Sequence, residues 1–249
     1  MSAGFYTIAS GMMVRQKELD TIGNNLSNIQ TPGYRADRVV TSDFEMSLLK
    51  RMEADGEEVL GNGRGSAAAV VANETVTTEQ GAVEPSGRVM DFALNGDGYF
   101  NVQGQDGTVY LTRNGQFEVD DQGYLTLPGM GQVMGTNGPI RPGSEEITVD
   151  EAGNVYNAQG QLAGTLKITV PAQNTQLVRR ENGAFTAQGA VNAQGYQVVQ
   201  GSLETSNVDM NQEMSNFISV QRAFQTCSSA LQIMDGIDRK AAAQIASIQ

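Results

Sequence analysis

The chain has no histidine, no tryptophan and one cysteine among its 249 residues. Without histidine there can be no Ser-His-Asp or Cys-His nucleophilic pair and no imidazole-bound zinc. A single cysteine, Cys227, rules out an internal disulfide framework, and the expected role is a small buried apolar side chain. No apolar run approaches the roughly 20 residues that cross a bilayer, so no transmembrane segment is expected. The first twenty residues lack a basic start followed by an apolar stretch and a small-residue cleavage site, so no cleavable secretory signal is expected either. Positive charge is also scarce. Sixteen Lys and Arg stand against 28 Asp and Glu, a net charge of -12, which disfavours a nucleic-acid partner.

That acidity is uneven. Residues 1–34 are neutral and residues 207–249 carry -1, which leaves -11 for residues 35–206. The ends are therefore suited to close packing, and the middle is solvated and self-repelling. The ends also share a pattern. Phe5, Ile8, Met12, Leu19, Ile22, Leu26 and Ile29 recur at three-four spacing, broken only by Arg15. Phe217, Val220, Phe224, Cys227, Leu231, Met234, Ala241, Ile245 and Ile248 do the same, broken only by Asp238. A stripe this narrow is a coiled-coil seam rather than a broad core-facing surface. The spacing predicts a first helix from about Phe5 to Ile29, stopped by Thr31-Pro32-Gly33. It predicts a last helix capped by Ser206, Asn207 or Asp209, with Asp209 and Gln212 in capping-box spacing and Gly236 as a weak point.

Between the ends the chain turns to glycine and short strand-like segments. Gly98, Gly107, Gly115, Gly123 and Gly131 recur every eight or nine residues. Asn95-Gly96, Asp106-Gly107, Asn114-Gly115, Asn137-Gly138 and Asn182-Gly183 read as tight hairpin turns. The fold class expected is α+β. N- and C-terminal helices (1–34 and 207–249) pair as a coiled-coil-like domain, and an antiparallel all-β sandwich or barrel occupies 80–206. Residues 35–79 form an extended connector, with a polar loop from Glu53 to Gly65 and strand potential at Val70-Val71 and Thr75-Val76-Thr77.

No catalytic or cofactor site emerges, and no metal site. Glu57-Glu58, Asp120-Asp121 and Glu145-Glu146 are adjacent acids, but neighbours on a strand face opposite ways and cannot flank a sugar as a glycosidase requires. Gly61-Asn62-Gly63-Arg64-Gly65 lacks the ending of a phosphate loop, and Asp120 to Gly123 and Asp150 to Gly153 lack the ligand pattern of a calcium loop. The asparagines Asn24, Asn25 and Asn28 are poor helix residues. Either the helix frays before Pro32, or their amides bond neighbouring helices in an assembly and fix register.

Three blocks resemble the bacterial flagellar rod, hook and hook-associated axial family. They are Ser10-Gly11-Met12 with Gln16, Leu19-Asp20 and Asn24 to Arg35; Asn95 to Phe100 with Tyr110 to Phe117; and Gly201 to Val208 with Glu213-Met214 and Gln221-Arg222-Ala223-Phe224. The resemblance spans the chain in order, and it departs at Ser27 (usually alanine), Gln30 (commonly asparagine) and Cys227. It implies a structural, non-enzymatic subunit whose terminal helices form an inner tube around a central channel, with the β-rich middle outside. It further implies export without a cleaved signal through the flagellar type III apparatus, and helical stacking with itself and other rod and hook subunits into a drive shaft of the basal body. The short length with one modest β-domain looks more like a rod subunit than a hook protein. Within the rod, the length and the segment Leu231 to Ile248 look most like the proximal-rod subunit, with the distal-rod subunit close behind. The residues expected to build the assembly are Phe5, Ile8, Met12, Leu19, Ile22, Asn24, Asn25, Leu26, Asn28, Ile29, Phe217, Val220, Gln221, Phe224, Leu231, Met234, Ile245 and Ile248. Alternatives are a hook or other flagellar axial subunit, a flagellum-associated cell-wall glycosidase, and a non-flagellar tube or adhesive protein.

Overall fold

A computed structural model describes residues 3–43, 70–77, 79–172, 177–180, 183–187 and 189–246. The expected loop from Glu53 to Gly65 lies outside the described residues. The chain divides into two units, one built from residues 1–27, 37–77 and 209–249, the other from residues 28–36 and 78–208.

Among the described residues the first unit holds two helices and one pair of strands. Helix α1 runs Ala3–Ser27 and helix α2 runs Met210–Ala246, 37 residues, or about 55 Å at 1.5 Å per residue. The two helices pack against each other. Side-chain pairs one turn apart support α1: Arg15 with Glu18 at 2.6 Å and Gln16 with Asp20 at 2.9 Å. It ends two residues before the expected Ile29, in a turn where Asn28 O accepts the Thr31 N–H at 3.1 Å and Asn28 Oδ1 accepts the Thr31 hydroxyl at 3.1 Å. Helix α2 is capped as Asp209 allows. Its Oδ1 accepts the amide hydrogens of Asn211 at 2.8 Å and Gln212 at 3.2 Å. The Gln212 side chain donates forward to Asn216 rather than completing the capping box. Gly236 does not interrupt the helix.

Residues 35–79 hold more regular structure than their lack of a period suggests. Strand β1 (Asp37–Asp43) pairs antiparallel with β2 (Val70–Val76), in register from Asp37 opposite Val76 to Asp43 opposite Val70.

The second unit is antiparallel β throughout. Its main sheet runs in the order Val178–Arg179, Phe185–Thr186, Val109–Thr112, Tyr99–Gly104, Gly131–Gly135, Leu125–Leu127, Glu118–Val119. Ile168–Pro171 joins Tyr99–Gly104 and carries Ala190–Asn192 at its far edge. A three-stranded sheet (Thr148–Val149, Asn154–Tyr156, Leu162–Thr165) and two strand pairs complete it: Gln197–Gln200 with Phe92–Asn95, and Ser202–Glu204 with Val83–Pro85. Three phenylalanines lie at the centre of the core. Phe117 lies 5.6 Å from Phe92 and 5.1 Å edge-on from Phe100, and Leu94, Val102, Leu125, Val133, Ile140, Val155 and Leu166 surround them.

The turn chemistry differs in detail from the two-residue hairpins expected. Five loops, 104–108, 120–124, 150–154, 157–161 and 180–184, share one pattern. The first N–H donates to the fifth carbonyl, and the fourth residue, always glycine, donates to the first carbonyl with φ between 72° and 85°. This is a three-residue loop ending in a left-handed glycine. Asp120, Asp150 and Asn157 open three of them, and their side-chain oxygens accept the amide hydrogen four residues on. Hydrogen bonds from the Asn154 side chain and backbone hold the Asp150 carboxyl below its ordinary pKa. Asn114-Gly115 is not such a turn. Gly115 is required by proximity, because a Cβ there would lie 1.7 Å from the Phe92 carbonyl oxygen.

Candidate assembly surface

Periodicity places the apolar residues of α1 on one stripe, but burial selects a different one. Among the described side chains of this helix Val14, Thr21, Ile22 and Asn25 are buried, centred about a quarter-turn from the expected seam at 3.6 residues per turn. Among the described side chains of the expected seam Ile22 is buried, while Ile8, Met12, Leu19 and Leu26 are half-exposed. The polar members of the buried face are satisfied within the chain. The Thr21 hydroxyl donates to Lys17 O at 2.9 Å. Asn25 uses both ends of its amide on the backbone of one residue, its Nδ2 donating to Asp37 O at 2.9 Å and its Oδ1 accepting the Asp37 N–H at 3.0 Å. The amide stands in for a strand neighbour and fixes where β1 begins.

Three residues expected to face other subunits therefore have roles inside the chain. Asn25 anchors β1, Asn28 closes the turn after α1, and Ile29 packs on Tyr34, Ala36 and Val208 in the β-rich unit. Asn24 is exposed. A hydrophobic count passes over Thr21 and Asn25 because they are polar, and only their bonding partners make their burial possible.

Helix α2 presents the opposite case. Phe217, Val220, Phe224, Cys227, Leu231 and Met234 are half-buried, Gln221 is exposed, and no described side chain from Met210 to Lys240 is buried. Met210, Met214, Ile218, Ile233 and Ile237 are exposed on other faces, Ile233 by 64%. These residues lie off the expected seam, although Met210, Met214 and Ile218 recur every fourth residue. Phe5 and Ile245 fall on the helices, and Ile248 lies outside the described residues.

Along the inner side of α2, facing α1 and β1, runs a groove of about 640 Å³. Arg15, Glu18, Asn25, Arg38, Glu213 and Val220 are among the residues lining it, an even mixture of signs and apolar surface. Burial raises the Glu213 carboxyl above its ordinary 4.5, while the Arg38 charge and a hydrogen bond from Asn25 oppose that rise.

In the β-rich unit the blocks that carry the family resemblance converge on one carboxylate. Glu204, 1% exposed, pairs with Arg35 at 2.9 Å through Oε1 and with Arg113 at 3.0 Å through Oε2. Its Oε1 also accepts the Gly81 N–H at 3.2 Å. Arg113 donates further to Leu94 O and Gly96 O and lies 5.4 Å over the Tyr99 ring. Burial raises the Tyr99 hydroxyl pKa against the opposing charges of Arg35 and Arg113. Arg179 stacks on Tyr34 at 4.4 Å and Phe185 at 4.8 Å and donates to Arg35 O. Nothing in the sequence juxtaposes positions 35, 113 and 204.

Among the described residues no cluster of acids and cysteine could hold a metal ion, and no described helix is long and apolar enough to cross a membrane. Asp120, of the adjacent acids, is committed to its own turn. Glu57 and Glu58 lie outside the described residues.

Three family models match along the chain: the flagella basal body rod protein model over residues 5–35, the flagellar hook protein FlgE/F/G D1 domain over 93–157, and the flagellar basal body rod FlgEFG protein C-terminal model over 199–245. The flagellar basal-body rod protein FlgG of Bacillus subtilis (strain 168) is 31% identical over 95% of this chain and 97% of its own length. The rod protein FlgF of Salmonella typhimurium is 30% identical over 90% of this chain and 91% of its own. FlgF of Rhizobium meliloti is 29% identical over 95% of each. With all three matched blocks in their order and relatives of nearly full length, this chain belongs to the flagellar basal-body rod and hook axial protein family.

Proposed function

We propose that the chain is a structural subunit of the flagellar basal-body rod, polymerising helically through its terminal helices into the shaft that carries torque from motor to hook. The observation that carries this is α2. It is a 37-residue helix with no buried side chain among those described, and it is apolar on faces that its own chain leaves uncovered. An apolar surface of that extent is stable in water only when another chain covers it. Each leucine-sized side chain so covered contributes roughly 1.5–3 kcal/mol, and identical contacts repeated along a tube make it stiff. On this reading the helical unit is the assembly domain and the β-rich unit its outer body.

Self-association with other rod and hook subunits, residence in the basal body, and export by the flagellar type III apparatus without a cleaved signal follow from the same reading. Relatives named FlgG and FlgF match at 27–31% identity over at least 90% of the chain, so similarity does not separate the two. The length and the segment Leu231 to Ile248 favour a proximal-rod position, with the distal-rod subunit close behind. A structural role is what the family's named members share, and the glycosidase alternative finds no support among them.

Leu26→Asp and Ile233→Asp, each placing a charge on a half-exposed or exposed apolar site, are expected to abolish rod assembly and motility. The β-rich unit should keep its thermal transition. Motile cells building normal rods from either variant would overturn the assignment of these surfaces.

A further inference from the structure

The chain crosses between the helical unit and the β-rich unit at 27/28, 36/37, 77/78 and 208/209. Inside the β-rich unit, three of the segments next to these crossings are tied to one side chain. Asn207 Oδ1 accepts the Ala36 N–H at 2.7 Å, and its Nδ2 donates to Glu79 O at 2.8 Å. Its own N–H donates to Tyr34 O at 3.3 Å. Arg35 reaches the same Glu79 carbonyl while holding Glu204. The backbone adds Gly33 N–H to Glu204 O at 2.8 Å and Thr205 N–H to Ala82 O at 2.8 Å. Tyr34, Ala36 and Val208, all buried, close over the contact with Ile29. Segments 28–36, 79–82 and 201–208 are thus one hydrogen-bonded bundle.

We propose that Asn207, with the Arg35–Glu204–Arg113 group beneath it, is a clasp that holds the root of α1 beside the root of α2 in the single, unassembled chain. About 180 residues separate those roots, Ser27 and Met210, and closing a loop of that length is entropically unfavourable. The clasp removes the cost in advance, because folding of the β-rich unit alone brings both roots together. Pairing of α1 with α2 then becomes an event within one chain, favoured over pairing with the helix of a second copy. The clasp therefore acts against exchange of helices between copies, the usual hazard for a protein whose terminal elements pair across a long connection. This inference concerns the isolated chain and holds whether or not the chain builds a rod.

Hydrogen exchange on the dilute full-length chain tests it. The amides of Gly33, Ala36 and Asn207 are expected to be protected alongside Val102 of the core strand Tyr99–Gly104. In Asn207→Ala the Ala36 amide should exchange on the order of tenfold faster, the loss of about one net hydrogen bond, with Val102 unchanged. Asn207→Asp keeps the acceptor for Ala36 but loses the donor to Glu79, so its effect should be intermediate. On size-exclusion chromatography with light scattering, Asn207→Ala should give a dimer with exchanged helices where the parent chain is monomeric. Wild-type Gly33 and Ala36 amides exchanging at solvent rates would overturn the proposal. So would an Asn207→Ala chain that keeps Ala36 protection and stays monomeric. Should Asn207→Ala unfold the whole unit, the graded effect of Asn207→Asp decides: no change at Ala36 refutes the clasp.

Discussion

At the scale of single residues, the least replaceable side chain is Glu204. Its carboxylate lies between two guanidiniums that are themselves 2% and 3% exposed at the side chain. An amide at this position keeps the volume but removes the charge, and its NH₂ group would face an arginine donor. Removing one partner from a buried ion pair costs about 3–5 kcal/mol, because the charges left behind stay desolvated. Glu204→Gln is expected to lower the unfolding free energy of the β-rich unit by that amount, read from denaturant curves followed by tyrosine fluorescence. A change below about 1 kcal/mol, the value of a solvated surface pair, would mean that water reaches the cluster. Gly33 is constrained by space and by conformation together. Its φ is +68°, and a Cβ there would lie 2.3 Å from the Arg113 carbonyl carbon. Gly107 has φ +77° and nothing within 4 Å. Gly33→Ala should therefore destabilise clearly more than Gly107→Ala, which carries only the backbone penalty of about 1 kcal/mol. Equal losses in thermal unfolding would show that the Arg113 backbone gives way.

At the scale of elements, what could be read from sequence was what is local. The two helices, the stop at Pro32-Gly33 and the Asp209 cap follow from residues within one or two turns of each other. The glycine-led hairpins follow too, although their loops are one residue longer than the Asn-Gly pairs suggest, since a left-handed glycine serves either geometry. The face of α1 was not legible in the same way. Its burial is decided by Thr21 and Asn25, and Asn25 can be buried only because Asp37, twelve residues away, offers its backbone. The β1–β2 hairpin and the Arg35–Glu204–Arg113 cluster depend on separations of tens to more than a hundred residues, which no periodicity encodes. Glu213 gives an element-level test of how α2 sits in its own unit. Burial raises its pKa, so the folded helical unit binds the proton more tightly than the unfolded chain does. Stability from this group is then greatest below its ordinary 4.5 and is lost as pH rises through the raised value. Glu213→Gln removes that loss. The variant's helical transition, followed by circular dichroism, should gain on wild type as pH goes from 4 to 7. An unchanged difference across that range would place the carboxyl in free solvent.

At the scale of the whole molecule, the distribution of charge separates two ways in which copies could hold together. Each chain carries -12, almost all of it in residues 35–206, while both helical ends are close to neutral. If the seams of α1 and α2 and the outer apolar residues of α2 make the contacts, association is driven by burial of apolar surface and opposed by repulsion between the acidic bodies. That repulsion is felt across about 30 Å at 0.01 M ionic strength and about 10 Å at 0.1 M. Added salt then removes the opposing force and leaves the driving force intact, so the concentration needed for assembly should fall as sodium chloride rises from roughly 0.02 to 0.2 M. Were the contacts chiefly ion pairs, through groups such as Asp235, Arg239 and Lys240 on the exposed side of α2, the same salt would screen them and the critical concentration would rise. Light scattering of a salt series reads the sign directly. Leu26→Asp supplies the control, since a carboxylate placed in the seam is opposed by desolvation, which salt does not screen, and the variant should fail to assemble across the whole series. A threshold that climbs with salt in the parent chain would move the assembly contacts away from the apolar seams and onto the charged faces of the helices.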